Sequence, residues 1–169
     1  MQVITAIDFE YTGSSPGFNS LPWQIGLITV RDGKVCPGES FSSLLRVPPE
    51  QPFNPYTPGR WASIREEISA APALPELWPQ LQPWLQGRAL LAHHVPTERS
   101  LLQQSFPFHH FGPWLDSLTL ARVAYPRQRS YKLEDLSDAL RLTAKLQTAC
   151  PGKQAHDALY DALACAYLL

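Results

Sequence analysis

Residues 3–7, Val-Ile-Thr-Ala-Ile, form an apolar, β-branched run almost at the start of the chain, and Asp8, Phe9 and Glu10 follow it directly. A run of this kind reads as a buried strand. Side chains two apart on a strand share a face, so Asp8 and Glu10 project together, about 7 Å apart along the chain. Two carboxylates at that spacing repel each other, and burial strengthens the repulsion. Two arrangements relieve it: solvation of both acids at an open strand end, or a divalent cation such as Mg²⁺ or Mn²⁺, which prefers oxygen ligands. Gly13 then lets the chain turn away.

With 169 residues, 44% of them hydrophobic, the chain is long enough to bury a core, and we expect one domain over residues 1–169. The formal net charge of −1 excludes a broad basic coat for nucleic acid, but not a local groove where bound cations supply the positive charge. Cys36, Cys150 and Cys165 form no Cys-x-x-Cys pair, which argues against structural zinc and a disulfide framework. Reduced thiols suit a cytoplasmic location. We expect neither a signal segment nor a membrane span, because no apolar run is long enough.

Trp23–Val30 reads as a second strand, Asp32-Gly33 as a hairpin turn, and Phe41–Val47 as a returning strand, giving an antiparallel meander. Pro48–Gly59 is a proline-rich loop, Trp61–Ser69 a short helix, and Pro75–Leu85 a helix closed by Gly87. Trp78 and Trp84 on that helix fit core packing better than base stacking. Ala89–Ala92 is a short strand, after which Thr97 can cap a helix through Leu101 and Leu102. Trp114–Leu118 is a strand leading into a helix to Ala124, and a loop with Arg127, Arg129 and Lys132 follows. That loop is either solvated or in contact with phosphate. Leu133–Leu142 is helical, Thr143–Gln154 a connection, and His156 or Asp157 to Leu169 a closing Ala/Leu-rich helix. A meander followed by alternating strands and helices argues for a mixed sheet covered by helices.

Two further segments look like companions to Asp8 and Glu10: His93-His94…Glu98 after a buried strand, and His156…Asp161 at the last helix. Five helical residues span about 140° of rotation, so His156 and Asp161 converge only if His156 lies in the preceding loop. His93 reads as a packed or hydrogen-bonding strand-end residue, Asp157 as an acid that favours the helix N-terminus, and His109-His110 as a loop pair.

Asp8-x-Glu10 with Thr12-Gly13, then Ala92-His93 with an acid before Leu101-Leu102, then His156-x-Ala-Leu-x-Asp161-Ala, occur in this order. The ordered set resembles the DEDDh 3′–5′ exonucleases, among them the proofreading subunit of bacterial replicative polymerase, RNase T and oligoribonuclease. Gln24-Ile-Gly26, Leu115-Asp-Ser-Leu-Thr-Leu-Ala-Arg122 and Tyr131-Lys-Leu-Glu-Asp-Leu136 extend the likeness nearly end to end. The resemblance implies an α/β, RNase H-like fold with a five-stranded mixed β-sheet flanked by helices. It implies two divalent ions, Mg²⁺ or Mn²⁺, held by Asp8, Glu10, Asp161 and Glu98, and His156 as general base. It implies release of nucleoside 5′-monophosphates from single-stranded or frayed 3′ ends. Phe9, Tyr11, Thr12 and His94 then take substrate-binding positions, and a homodimer or a polymerase is the implied partner.

The second motif departs from the family's His-Asn-x-x-Phe-Asp: this chain has His93-His94-Val95-Pro96-Thr97-Glu98. The extra methylene of Glu98 moves its carboxylate by about 1–1.5 Å, and a shift of that size can lower a rate about 100-fold. The same departure motivates an alternative: a catalytically silent exonuclease-fold module that binds nucleic acid or a protein. Hydrolysis of short oligonucleotides or cyclic dinucleotides is a third reading.

Overall fold

The computed structural model describes residues 2–169. β1 (Val3–Tyr11), β2 (Pro22–Arg31) and β3 (Lys34–Leu44) form the expected antiparallel meander. β4 (Ala89–Ala92) and β5 (Trp114–Asp116) add in parallel on the far side of β1, in the order β3-β2-β1-β4-β5. Asp32 and Gly33 both have positive φ, 48° and 75°, as a tight primed hairpin turn requires. The returning strand starts at Lys34 rather than Phe41. Thr29 pairs with Cys36 and Ile28 with Ser40, so residues 37–39 bulge out of the ladder. Pro37 lacks the N–H that a regular ladder needs, which explains why the alternation there is hard to read.

Among the described residues seven α-helices flank the sheet: α1 (Arg65–Ala70), α2 (Trp78–Leu85), α3 (Val95–Ser105), α4 (Ser117–Ala124), α5 (Leu133–Ala139), α6 (Thr143–Ala149) and α7 (Ala158–Tyr167). β1 separates two apolar clusters by its alternation. Ile7 and Phe9 pack with Leu81, Leu85 and Leu102 of α2 and α3. Ile4 and Ala6 pack with Tyr160, Leu163 and Ala164 of α7. Trp78 and Trp84 pack against the first cluster, and Trp78 lies tilted against Phe106 at 4.9 Å between ring centroids. The proline-rich loop is tied down by a third cluster. In it Phe53 stacks on Trp61 at 4.6 Å, and Arg65 lies over Phe53 while donating to the carbonyls of Pro48, Pro49 and Gln51.

Two further sequence expectations are corrected. α3 starts at Val95, with His94 in the left-handed region (φ 77°) as the residue before it, so Thr97 lies inside the first turn rather than capping it. Pro96 suits that turn, where its missing N–H leaves no bond unmade. Residues 143–149, expected as connection, are helical. Leu142, Leu146 and Cys150 give α6 a one-residue-wide apolar stripe, and Arg141 (φ 59°) breaks the chain between α5 and α6. So short a stripe does not stand out in sequence. Among the described residues no helix is long and apolar enough to cross a membrane, and all three cysteines are free.

Candidate active site

The ladder between β1 and β4 runs only from Ile4–Ala89 to Ala6–Leu91. Beyond it the end of β1 has no β4 partner, at the carboxyl ends of the parallel strands, where open α/β sheets bind ligands. Asp8 and Glu10 continue the Ile4–Ala6 face, the one that meets α7.

α7 supplies the rest. Asp157 is its N-cap, accepting from the N–H groups of Leu159 and Tyr160, and Asp161 lies one turn inside. His156 precedes the cap with φ 69°, so it is loop and not helix. Its N–H donates to Asp161 Oδ2 at 3.0 Å, folding the junction back onto the first turn. That backbone reversal removes the angular separation a continuous helix would impose. Glu10, His156 and Asp161 each bring a ligand atom within 4.8 Å of the others'. His156 Nε2 also lies 3.3 Å from Glu134 Oε2 of α5.

Crowding of acids dominates the electrostatics. Burial first, then the charge of Asp161, pushes the Glu10 carboxyl up to about 8. Burial also raises Asp161, to about 6, against the lowering effect of the His156 N–H and ring. Asp8 is raised well above the carboxylate range by burial and then by Asp161, Glu10, Glu98 and Asp157. Asp8 thus feels the β1–α7 acids and also Glu98. Burial raises Glu98 to about 8, with Asp116 adding to it. Glu98 is 5% exposed, and its Oε2 has no hydrogen-bond partner. The Tyr11 hydroxyl is likewise buried without a partner, and burial followed by Glu98, Asp8 and Glu10 raises its pKa.

The remaining sequence candidates fall elsewhere. The Phe9 ring lies in the apolar core, tilted against Tyr11. Thr12 is fully buried; its hydroxyl accepts from Leu21 N–H, and its carbonyl accepts from Asn54 N–H and the Thr57 hydroxyl. His94 is exposed, with its ring bonded to the Thr97 hydroxyl and its N–H donating to Asp116. His93 is pinned between the Ser117 hydroxyl and the Tyr131 carbonyl, both at 2.8 Å, and burial lowers its pKa. His109 packs on Trp78. Lys132 lines a cavity of about 350 Å³ beside Leu133, Glu134, His156 and Asp161, while Arg127 and Arg129 are exposed on the preceding loop. Sequence reasoning gave Glu134 no role, because its partner lies on a distant loop and no spacing signals it. It gave Gln24 none either, although a lone buried amide in an apolar strand was a signal.

A family model described as Exonuclease, for RNase T, matches residues 5–169. The 3′-5′ exonuclease DinG of Staphylococcus saprophyticus is 26% identical over 137 residues, covering 79% of this chain and 15% of that protein. The PolC-type DNA polymerase III of Mycoplasmopsis pulmonis is 25% identical over 164 residues, covering 95% of this chain and 11% of that one. The chain therefore spans only a small part of the length of these curated relatives. Among solved structures, the nuclease domain of 3′hExo, a DEDDh family member bound to rAMP, superposes with a TM-score of 0.70 at 17% identity, over 99% of this chain and 89% of that one. Escherichia coli Exonuclease I in complex with a dT13 oligonucleotide gives 0.70 at 16% identity, over 99% and 40%. The five-stranded sheet and its flanking helices are thus the RNase H-like exonuclease fold. Because the family match takes in both the strand bearing Asp8 and Glu10 and the helix bearing Asp161, the chain belongs to the RNase T exonuclease family.

Proposed function

We propose that this chain, acting as one domain, is a metal-dependent 3′–5′ exonuclease that cleaves phosphodiester bonds at single-stranded or frayed nucleic-acid 3′ ends and releases nucleoside 5′-monophosphates. The observation that carries this reading is the convergence of Glu10, Asp161 and His156 within 4.8 Å, from the first strand and the last helix. Members of the DEDDh group generally use divalent ions, and the donor set here fits them. Burial holds the pKa values of all four carboxyls up, repulsion from neighbouring acids of the set adds to this at Asp8 and Glu10, and the buried Glu98 Oε2 lacks a partner. Asp8, Glu10, Asp161 and Glu98 would hold two Mg²⁺ or Mn²⁺ ions. When bound, such ions neutralise the acids and stabilise the charge that builds on the phosphate oxygens.

His156 acts as general base. A ring nitrogen facing Glu10 and Asp161 takes the proton of the water that attacks phosphorus, the P–O3′ bond breaks, and the departing 3′ oxygen gains a proton from solvent. The half-exposed loop position of His156 leaves its ring accessible to that water. Lys132, on the rim of the adjoining cavity, attracts the phosphodiester chain. Solution in the cytoplasm, association with a polymerase, and a homodimer are compatible settings.

The test is an assay with Mg²⁺ or Mn²⁺ on a 3′-labelled single-stranded oligonucleotide. Nucleotide release that disappears in Asp8→Ala is expected; no release, or release undiminished in that variant, overturns the proposal. One observation favours a second reading, a binding module without cleavage: His94, at the family's Asn position, is exposed and bonded to Thr97. Metal-independent oligonucleotide binding with no product would support that reading.

A further inference from the structure

Across the β1–β2 ladder Asp8 pairs with Gly26 and Glu10 with Gln24. Each acid of the first motif therefore has a fixed neighbour on β2 that points to the same face. At Gly26 an added Cβ would lie 2.2 Å from the Ala158 carbonyl carbon and 2.3 Å from Leu159 N. The backbone of the first turn of α7 rests directly on this strand, and no other residue type leaves room for it.

Gln24 is 2% exposed, in a strand whose buried length is apolar apart from Gln24 and Thr29. An amide buried there is unfavourable unless both of its ends are bonded. Both are, and both bonds go to the start of α7. Gln24 Nε2 donates to Asp157 Oδ2 at 3.1 Å, and Gln24 Oε1 accepts from Ala158 N–H at 3.2 Å. Asp157 is committed in turn: one oxygen caps α7, and the other also receives Lys153 Nζ at 2.6 Å. An apolar side chain would fill this space but would leave the helix free to slide and rotate on the sheet. The amide fixes its register. His156 comes one residue before the clamped Asp157 and Asp161 four after it.

We propose that Gln24 is a positioning residue for the acid–imidazole cluster, its amide fastening the first turn of α7 to β2 so that His156 and Asp161 stand against Glu10. The proposal rests on the exonuclease reading of that cluster. Gln24→Met keeps the volume and removes both bonds. Gln24→Glu sets a carboxylate against Asp157. The double variant Gln24→Glu/Asp157→Asn restores a complementary pair with donor and acceptor exchanged.

Steady-state kinetics on a single-stranded oligonucleotide, thermal melting, and calorimetric titration with Mn²⁺ alone test it. For Gln24→Met we expect a folded protein whose kcat falls about 10- to 100-fold. Its KM should stay within about twofold and its Mn²⁺ affinity should weaken. Gln24→Glu should behave likewise, and the double variant should recover at least half of the lost Mn²⁺ affinity. Wild-type kcat and Mn²⁺ affinity in Gln24→Met, or a double variant no better than Gln24→Glu, would overturn it. If the wild-type protein releases no nucleotide, the exonuclease reading fails by itself, and the Mn²⁺ titrations still decide whether Gln24 organises the acids.

Discussion

The Nε2 of His156 lies 3.3 Å from Glu134 Oε2, so the imidazole that faces Glu10 and Asp161 is also held by a carboxylate of α5. A carboxylate on a histidine nitrogen fixes ring orientation and tautomer. Both side chains are more than a third exposed, which limits what the pair contributes. We expect Glu134→Ala to lower kcat about 3- to 10-fold with KM for an oligonucleotide nearly unchanged, and Glu134→Asp to retain part of the rate. Steady-state kinetics at saturating Mn²⁺ check this; an unchanged kcat would separate Glu134 from the chemistry.

Glu98 is where the chain departs from its family, and its buried Oε2 has no partner. Glu98→Gln removes a charge that burial disfavours while keeping the side-chain shape. At pH 8 the metal-free variant should melt higher than wild type by at least about 3 °C, equivalent to roughly 1 kcal/mol for a chain of this size. Its stabilisation by added Mn²⁺ should shrink, and nucleotide release should fall at least about 100-fold. Melting curves with EDTA and with Mn²⁺ show both effects. A variant that melts lower than wild type in EDTA would mean the Glu98 carboxylate is satisfied.

The acid cluster also sets a pH dependence. Glu10 and Glu98 titrate near 8 in the folded protein and Asp161 near 6, all above the unfolded range of about 4. The folded state therefore holds protons that the unfolded state has released, so stability falls as pH rises between those limits. The metal-free protein should lose melting temperature steadily from about pH 5.5 to 8.5, and millimolar Mn²⁺ should offset the loss at the alkaline end. A flat profile in EDTA would contradict the crowding of the four carboxyls.

Gly13 has φ 72°, and a Cβ there would lie 2.3 Å from Thr57 Oγ1 and 2.9 Å from Asn54 Cβ. The Thr57 hydroxyl and the Asn54 N–H both bond the Thr12 carbonyl, anchoring the proline-rich loop to the end of β1. Gly13→Ala combines steric overlap with a strained backbone, and we expect a loss of about 2 kcal/mol or more. A calorimetric melting temperature lowered by several degrees would confirm it, and one within 1 °C of wild type would refute it.

The order of acids and histidines, the paired face of Asp8 and Glu10, the hairpin at Asp32-Gly33 and the closing helix were legible in the chain. Each is a local matter of side-chain period, turn chemistry or spacing. The early start of β3 was not legible, because a bulge around Pro37 interrupts the alternation. Nor was α6, whose apolar stripe is too short to stand above its surroundings. Nor were the bonds of Thr12 to Leu21, Asn54 and Thr57, which join segments 9 to 45 residues away. Sequence alone determined which acids and which imidazole were available, since composition and local period are written residue by residue. Tertiary structure decided that His156 leaves the helix with a left-handed backbone, that Glu134 holds its ring, and that Gln24 and Gly26 seat α7 beside Asp8 and Glu10. The seating of α7 on β2 depends on contacts more than 130 residues apart, and chain order carries no distance across such a gap.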